Sequence, residues 1–277
     1  MKQKRPTDKE LIVEKKLGIP PDYQYRALRS KNFLQANWHK NKLLALQNLL
    51  PFSSQTQVLD LGTGSGNFEL AFARRVKQIV GVDYNDEALN FLKRQLQKNK
   101  IGNVKLILAD IRDLSPLNQF SQFNYIISVD VIEHIKANEA HKVIESISKL
   151  LRPEGKVCII TPNYQSAWIL LESLLDRLAL VPKFRGQQHS VKYFRQNLSQ
   201  LFAAHGFALE TFRTFNAVSY LFPWRTLAAV ICRLELALPL SFGNMIAAVF
   251  VKSALRNKTN PKPQNKTSAT AEITKLT

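Results

Sequence analysis

From residue 57 onward the chain alternates between short apolar runs of strand length and longer segments whose apolar residues recur at helical spacing. The runs predict strands at Gln57–Leu61, Gln78–Asp83, Val104–Ala109, Asn124–Val129, Lys156–Thr161, Ala208–Arg213 and Met245–Lys252. Helical spacing predicts helices over 67–76, 86–100 and 137–151, with another over 29–50 ahead of the first strand. Leu151-Arg152-Pro153-Glu154-Gly155 reads as a helix stop followed by a turn. Strands alternating with helices in this way predict an α/β fold, a parallel sheet covered by helices on both faces. Two more helical stretches, 165–181 and 217–238, come late in the chain. The uncharged run Leu236–Val251 is shorter than the roughly 20 residues of a membrane-spanning helix. It contains Pro239, Gly243 and Asn244, and reads as a turn leading into a buried strand.

With 277 residues and 45% hydrophobic composition, one sizeable core is expected. The predicted organisation is a basic N-terminal segment (1–28), a single domain (29–252) and a polar, disordered tail (253–277). Cys158 and Cys232 sit in apolar runs and read as reduced, buried thiols. The amino terminus, MKQKRPTDKE, lacks the apolar stretch of a secretion signal, so a cytoplasmic location is expected. The net charge is +18, of which residues 1–16 supply +3 (six basic, three acidic) and residues 252–277 supply +5 (six basic, one acidic). The remaining +10 is spread over the body with no basic run interleaved with aromatics. Such an excess suits a polyanion or an anionic membrane surface as well as plain solvation.

The first strand and its turn read VLDLGTGSGNFELA. Glycines at 62, 64 and 66 allow a sharp turn and close backbone approach to a ligand, and the following helix start offers amide donors. The spacing is G-x-G-x-G, not the G-x-G-x-x-G of dinucleotide sites, and Asp60 precedes it by two positions. A carboxylate there suits a cationic group such as an amino-acid ammonium better than a diphosphate. The second strand ends in Gly81-Val82-Asp83-Tyr84, where Asp83 is placed to accept both hydrogen bonds of a ribose diol. Asp86, followed by Glu87, suits the cap of the next helix and leaves Asp83 free for that role. The third strand ends in Ala109-Asp110-Ile111, an acid and a backbone amide that could meet a purine edge.

Together VLDLGTGSG, GVDYNDEAL, ILADIRDL, FNYIISVDVIEHI, LLRPEGKVCIITPN and HSVKYFRQNLSQLFAAHGF resemble class I S-adenosylmethionine-dependent methyltransferases, in order and spacing, over residues 30–252. The resemblance implies a Rossmann-like seven-stranded sheet with the last strand antiparallel, and S-adenosylmethionine bound across the carboxyl ends of the first strands. It implies Asp60, Gly62, Thr63, Gly64 and Gly66 around the methionine moiety and glycine loop, and Asp83 on the ribose. Tyr84 is implied against the adenine face, Asp110 with Ile111 at the adenine edge, and Asp130 facing cofactor and acceptor. The motif pattern is most similar to that of the ubiquinone-biosynthesis O-methyltransferase group.

A sulfonium methyl is already activated, so holding a nucleophile in line supplies much of the rate, and a base is needed only where the acceptor must lose a proton. Candidates are Glu133, His134, His189 and Tyr193. Asp130, Glu133 and His134 share a face if their turn is helical, and oxygen plus imidazole ligands could hold a divalent ion. The Glu-His pair is widespread in the superfamily, so no metal is assigned. Apolar faces over 165–190 and 217–240 are expected to be core, or otherwise a lid over a lipophilic or aromatic small-molecule acceptor, resting on a membrane surface. Two competitors are an RNA methyltransferase and a cofactor-binding protein without turnover. Against the first, neither cysteine suits the nucleophile that carbon methylation of a pyrimidine requires, and Asp130-Val131-Ile132-Glu133 stands where exocyclic-amine methylation uses a D/N-P-P-Y motif.

Overall fold

The computed structural model describes residues 20–120, 122–166 and 190–252. Among the described residues two helices precede the sheet, α1 (Tyr23–Leu28) and α2 (Phe33–Leu49). Then follow β1 (Gln57–Leu61), α3 (Asn67–Phe72), β2 (Gln78–Asp83), α4 (Asp86–Lys98) and β3 (Val104–Leu108). Next come β4 (Phe123–Val129), α5 (Ala137–Leu150), β5 (Leu151–Pro162) and α6 (Arg195–Ala203). The described residues close with β6 (Phe207–Phe215), α7 (Arg225–Ala237) and β7 (Met245–Lys252). The seven strands form one sheet in the order β3-β2-β1-β4-β5-β7-β6. Strands β1 to β5 pair in parallel, whereas β7 runs antiparallel to both β5 and β6.

The period-two alternation of strand side chains divides the core between the two faces of the sheet. On one face Leu59, Leu61, Val157, Ile159 and Phe250 pack with Ile144 and Ile147 of α5 and Phe202 of α6. There Phe202 stacks on Phe250 with ring centroids 4.0 Å apart. On the other face Val58, Cys158 and Ile160 meet Leu46 of α2, Phe68 and Phe72 of α3, and Cys232 and Leu236 of α7. Strands buried on both faces read as unbroken apolar runs, which is why the sheet was legible.

Two details differ from the sequence reading. The LRPEG turn is absorbed into β5: Phe123 pairs with Leu151 and Tyr125 with Lys156, so the extra residues bulge out of register, with Glu154 at φ +59°. Asn85, not Asp86, caps α4, its side chain accepting from the amides of Glu87 and Ala88. Helix α1, within the 1–28 segment, docks on the glycine loop: the Tyr25 amide donates to Ser65 Oγ at 2.8 Å. Within 217–240, the inner side of α7 (Ala228, Cys232, Leu236) lies in the helix layer beside α2. Most of the 165–190 stretch falls outside the described residues.

Candidate active site

Parallel strands deliver their carboxyl ends, and the acids at them, to one edge of the sheet. After β1 the chain turns through Gly62, Gly64 and Gly66, all at positive φ. The amides of Gly62 and Thr63 donate to the Val82 carbonyl, which latches the loop to β2. A Cβ at Gly62 would lie 2.2 Å from Val131 Cγ2, whereas one at Gly64 would meet the carboxamide of Gln24, the end of an exposed, flexible side chain. Asp83 holds the loop from below: its Oδ2 accepts from the Gly64 amide at 2.7 Å and its Oδ1 from the Asn85 amide at 2.8 Å. Gln24 caps it from above, accepting from the Ser65 amide at 3.1 Å.

Beneath the loop lies an acidic group that the sequence reading only half saw. Asp60 and Asp83 are joined by Glu69 of α3, a fully buried carboxyl that accepts from Thr63 Oγ1 at 3.2 Å. Gly81 makes room for it, since a Cβ there would stand 3.0 Å from Glu69 Oε1. Burial pushes Asp60 well above the usual carboxylate range, and the neighbouring Glu69 and Asp83 add to the rise. Burial likewise pushes Glu69 up to about 7, against hydrogen bonds with Asp60 and Thr63. Glu69 Oε2 has no hydrogen-bond partner among the described residues. Three crowded carboxyls and an unsatisfied oxygen fit a cationic ligand, as the ammonium and sulfonium of S-adenosylmethionine would be. The signal for Glu69 was present in NFELAF, an acid inside an otherwise apolar helix turn.

Asp110 follows β3 but is occupied by its own neighbour. Burial alone would raise its carboxyl, yet the Arg112 side chain and amide, bonded to it, hold it below the usual range. Ile111 beside it and Tyr84 after β2 are both partly buried.

At the end of β4, Asp130 adopts φ +55° and pairs with Lys42 of α2, a lysine almost wholly buried. Next to this pair His39 stands edge-on to Tyr23 of α1, with ring centroids 6.3 Å apart. Burial holds the His39 imidazole down to about 3, with Lys42 adding to the effect and Asp130 opposing it. None of Tyr23, His39 and Lys42 carried a local signal, because helices preceding the sheet bring them there. Asn37 and Asn41 fix α2 in place, donating to the Phe222 carbonyl and to Asn216 Oδ1, both at 2.7 Å.

The expected shared face of Asp130, Glu133 and His134 does not form. Residues Ile132–His134 make a single 3-10 turn, which directs Glu133 inward to 0% exposure and leaves His134 exposed. Among the described residues no cluster of three or more His, Cys, Asp or Glu side chains could hold a metal ion. Thr161 Oγ1 donates to Glu133 Oε2 at 3.0 Å. Burial pushes Glu133 up to about 7, with His134 opposing and Asp130 adding. Burial and the Glu133 charge push the Tyr193 hydroxyl up to about 12. Asp130 Oδ1, Glu133 Oε1 and the Tyr193 hydroxyl, all buried, lack hydrogen-bond partners among the described residues. His189 lies outside those residues.

The strand order, the reversed last strand and the acids at the ends of β1 and β2 define the class I methyltransferase architecture. A family model described as a methyltransferase domain matches residues 52–204, and the chain belongs to that family: it is an S-adenosylmethionine-dependent methyltransferase. The ubiquinone biosynthesis O-methyltransferase of Leptothrix cholodnii is 25% identical over 176 residues, 63% of this chain and 70% of that protein. The 23S rRNA (uracil(1939)-C(5))-methyltransferase of Aliivibrio fischeri is 34% identical over 85 residues, which are 30% of this chain and only 19% of that protein. The magnesium protoporphyrin IX methyltransferase of Synechocystis PCC 6803, solved with bound S-adenosylhomocysteine, shares the fold with a TM-score of 0.58 at 15% identity. That superposition covers 88% of this chain and all (100%) of the other. No helix among the described residues is long and apolar enough to cross a membrane.

Proposed function

We propose that the enzyme methylates a hydroxyl of a small lipophilic or aromatic acceptor, with Glu133 as the base. The observation that carries the reading is the trio of buried oxygens without partners, on Asp130, Glu133 and Tyr193. Leaving them bare costs about 1–3 kcal/mol each, which an acceptor's polar group would recover. S-adenosylmethionine supplies the activated methyl, and Asp60, Gly64, Glu69 and Asp83 are the residues to hold it. Glu133, raised to about 7, is matched to taking a hydroxyl proton near neutral pH. Thr161 fixes one of its oxygens and leaves the other for the acceptor. Tyr193 stays protonated and serves as a donor. The ubiquinone-pathway relative and the porphyrin methyltransferase of like fold support an apolar acceptor.

Methylation of a pyrimidine carbon is disfavoured by the thiols. Burial pushes both Cys158 and Cys232 up to about 12, far from the thiolate such chemistry needs. The deciding experiment measures S-adenosylhomocysteine formation over a panel of phenols, polar metabolites and RNA. Turnover of a phenol is expected, and Glu133→Gln should lower kcat about 10²–10⁴-fold with cofactor affinity unchanged. Turnover of RNA or a polar metabolite alone, or full activity in the Gln variant, overturns the reading.

A further inference from the structure

Ten large apolar side chains are exposed among the described residues, and eight of them lie between Val218 and Phe242. On α7, Leu227, Val230 and Leu234 recur at helical spacing and form one outward stripe, which Leu238 extends past the helix end. Trp224, the residue before the helix, is 68% exposed, and Val218, Leu221 and Phe242 continue the patch on either side. Because the inner face of α7 is also apolar, the outer stripe is not the solvated side of an amphipathic helix. A contiguous apolar patch of this kind marks an interaction surface.

The charge around the stripe has one sign. Arg225 and Arg233 flank it, exposed. The only acid between residues 216 and 244 is Glu235, which is buried and accepts from the Val218 and Ser219 amides and from Ser219 Oγ. Beside the stripe, between α2 and α7, opens a cleft of about 330 Å³ lined by Lys40, Arg75 and Arg225 over Leu43, Leu44 and Ala229. No carboxylate lines it. Burial lowers the Lys40 ammonium, and Arg225 and Arg29 lower it further, so the cations here repel one another for want of an anion.

We propose that this face docks on an anionic lipid surface, the stripe entering the headgroup–acyl boundary and the cleft receiving lipid phosphates through Lys40, Arg75 and Arg225. Leucine, valine and tryptophan in the boundary with arginines at its rim are the chemistry of an interfacial helix. The complementary charge commits the surface to a bilayer, since an apolar stripe adds nothing to the binding of a soluble polyanion. The proposal stands independently of the acceptor's identity.

The test is co-sedimentation of the full chain with vesicles of phosphatidylcholine alone and of phosphatidylcholine with phosphatidylglycerol. Binding to the anionic vesicles, weakened by salt, is expected. Leu227→Asp with Leu234→Asp, both on the exposed stripe, should lower partitioning at least about tenfold with the melting temperature held. Lys40→Gln and Arg225→Gln should each lower it about fivefold on anionic vesicles and leave neutral ones unchanged. Should the double aspartate variant fail to fold, Trp224→Gln is the substitute. Equal affinity for both vesicle types, no vesicle binding, or unchanged binding by these variants would sink the idea. So would a concentration-dependent dimer, or RNA binding, that the same substitutions abolish.

Discussion

The two halves of the site are built on opposite plans. The cofactor half is made from consecutive chain: the glycine loop, the acids at the ends of β1 and β2, and amides that latch one strand to the next. The half we propose for the acceptor draws on side chains far apart in sequence: Glu133 and Tyr193 lie beyond β4, while Asp130 is paired by Lys42 from a helix ahead of the sheet, with Tyr23 and His39 next to that pair. On that proposal the glycine loop sets the class of reaction, and the separately delivered side chains, which can change without disturbing the loop, set the choice of acceptor.

The contrast is tested most strongly in the cofactor half. Asp83→Ala removes the acceptor for the Gly64 and Asn85 amides and the implied ribose ligand, so calorimetric affinity for S-adenosylmethionine should fall about 100-fold or more. Gly64→Val should also weaken the cofactor and cost some stability through backbone strain at φ +52°, though its added Cβ meets only the movable end of Gln24. Gly62→Val should lower the melting temperature more, since to strain at φ +83° it adds a clash with the Cγ2 methyl of the stiff, β-branched Val131. Equal effects of the two glycine substitutions on stability would erase the distinction drawn between them.

In the acceptor half, Lys42→Met leaves Asp130 without its cation in a partly buried position, a loss of about 2 kcal/mol in urea unfolding. Adding Asp130→Asn should recover much of that loss, whereas additive losses would mean the pair is not coupled.

The smallest effect is on pH dependence. Asp60, Glu69 and Glu133 all have folded values raised above the unfolded ones, so their contribution is fully present below about pH 4 and is lost as pH rises through the folded values, about 7 for Glu69 and Glu133. The melting temperature of the cofactor-free chain should therefore fall about 5 °C between pH 5 and pH 8. Saturating S-adenosylmethionine should flatten the slope by offering a cation to Asp60 and Glu69. A melting temperature that rises over this range would contradict the burial of these acids.

Legibility followed the same division. Strands buried on both faces gave unbroken apolar runs, and the bounds of β1, β2 and β7 agree with their sequence reading to the residue. The bulge after α5 was hidden because Pro153 and Gly155 make the same composition read as a free turn, and only pairing with β4 reveals the register shift. Helix α2 offered little pattern, since its buried positions include Asn37, Asn41 and Lys42. Those polar residues are stable inside because Asn216, Phe222 and Asp130 meet them, partners that local sequence does not reveal.

The sequence by itself determined the sheet, the glycine loop and the acids at its strand ends, because these depend on local spacing and on backbone conformations that few residues adopt. Tertiary structure alone decided that Glu133 turns inward while His134 faces out, since a 3-10 turn and an α-helix distribute the same residues differently. It alone brought Lys42 to Asp130, and set α7 with one apolar face in the core and the other exposed. Spacing along a chain fixes which side chains share an element, but burial and pairing depend on what packs against that element.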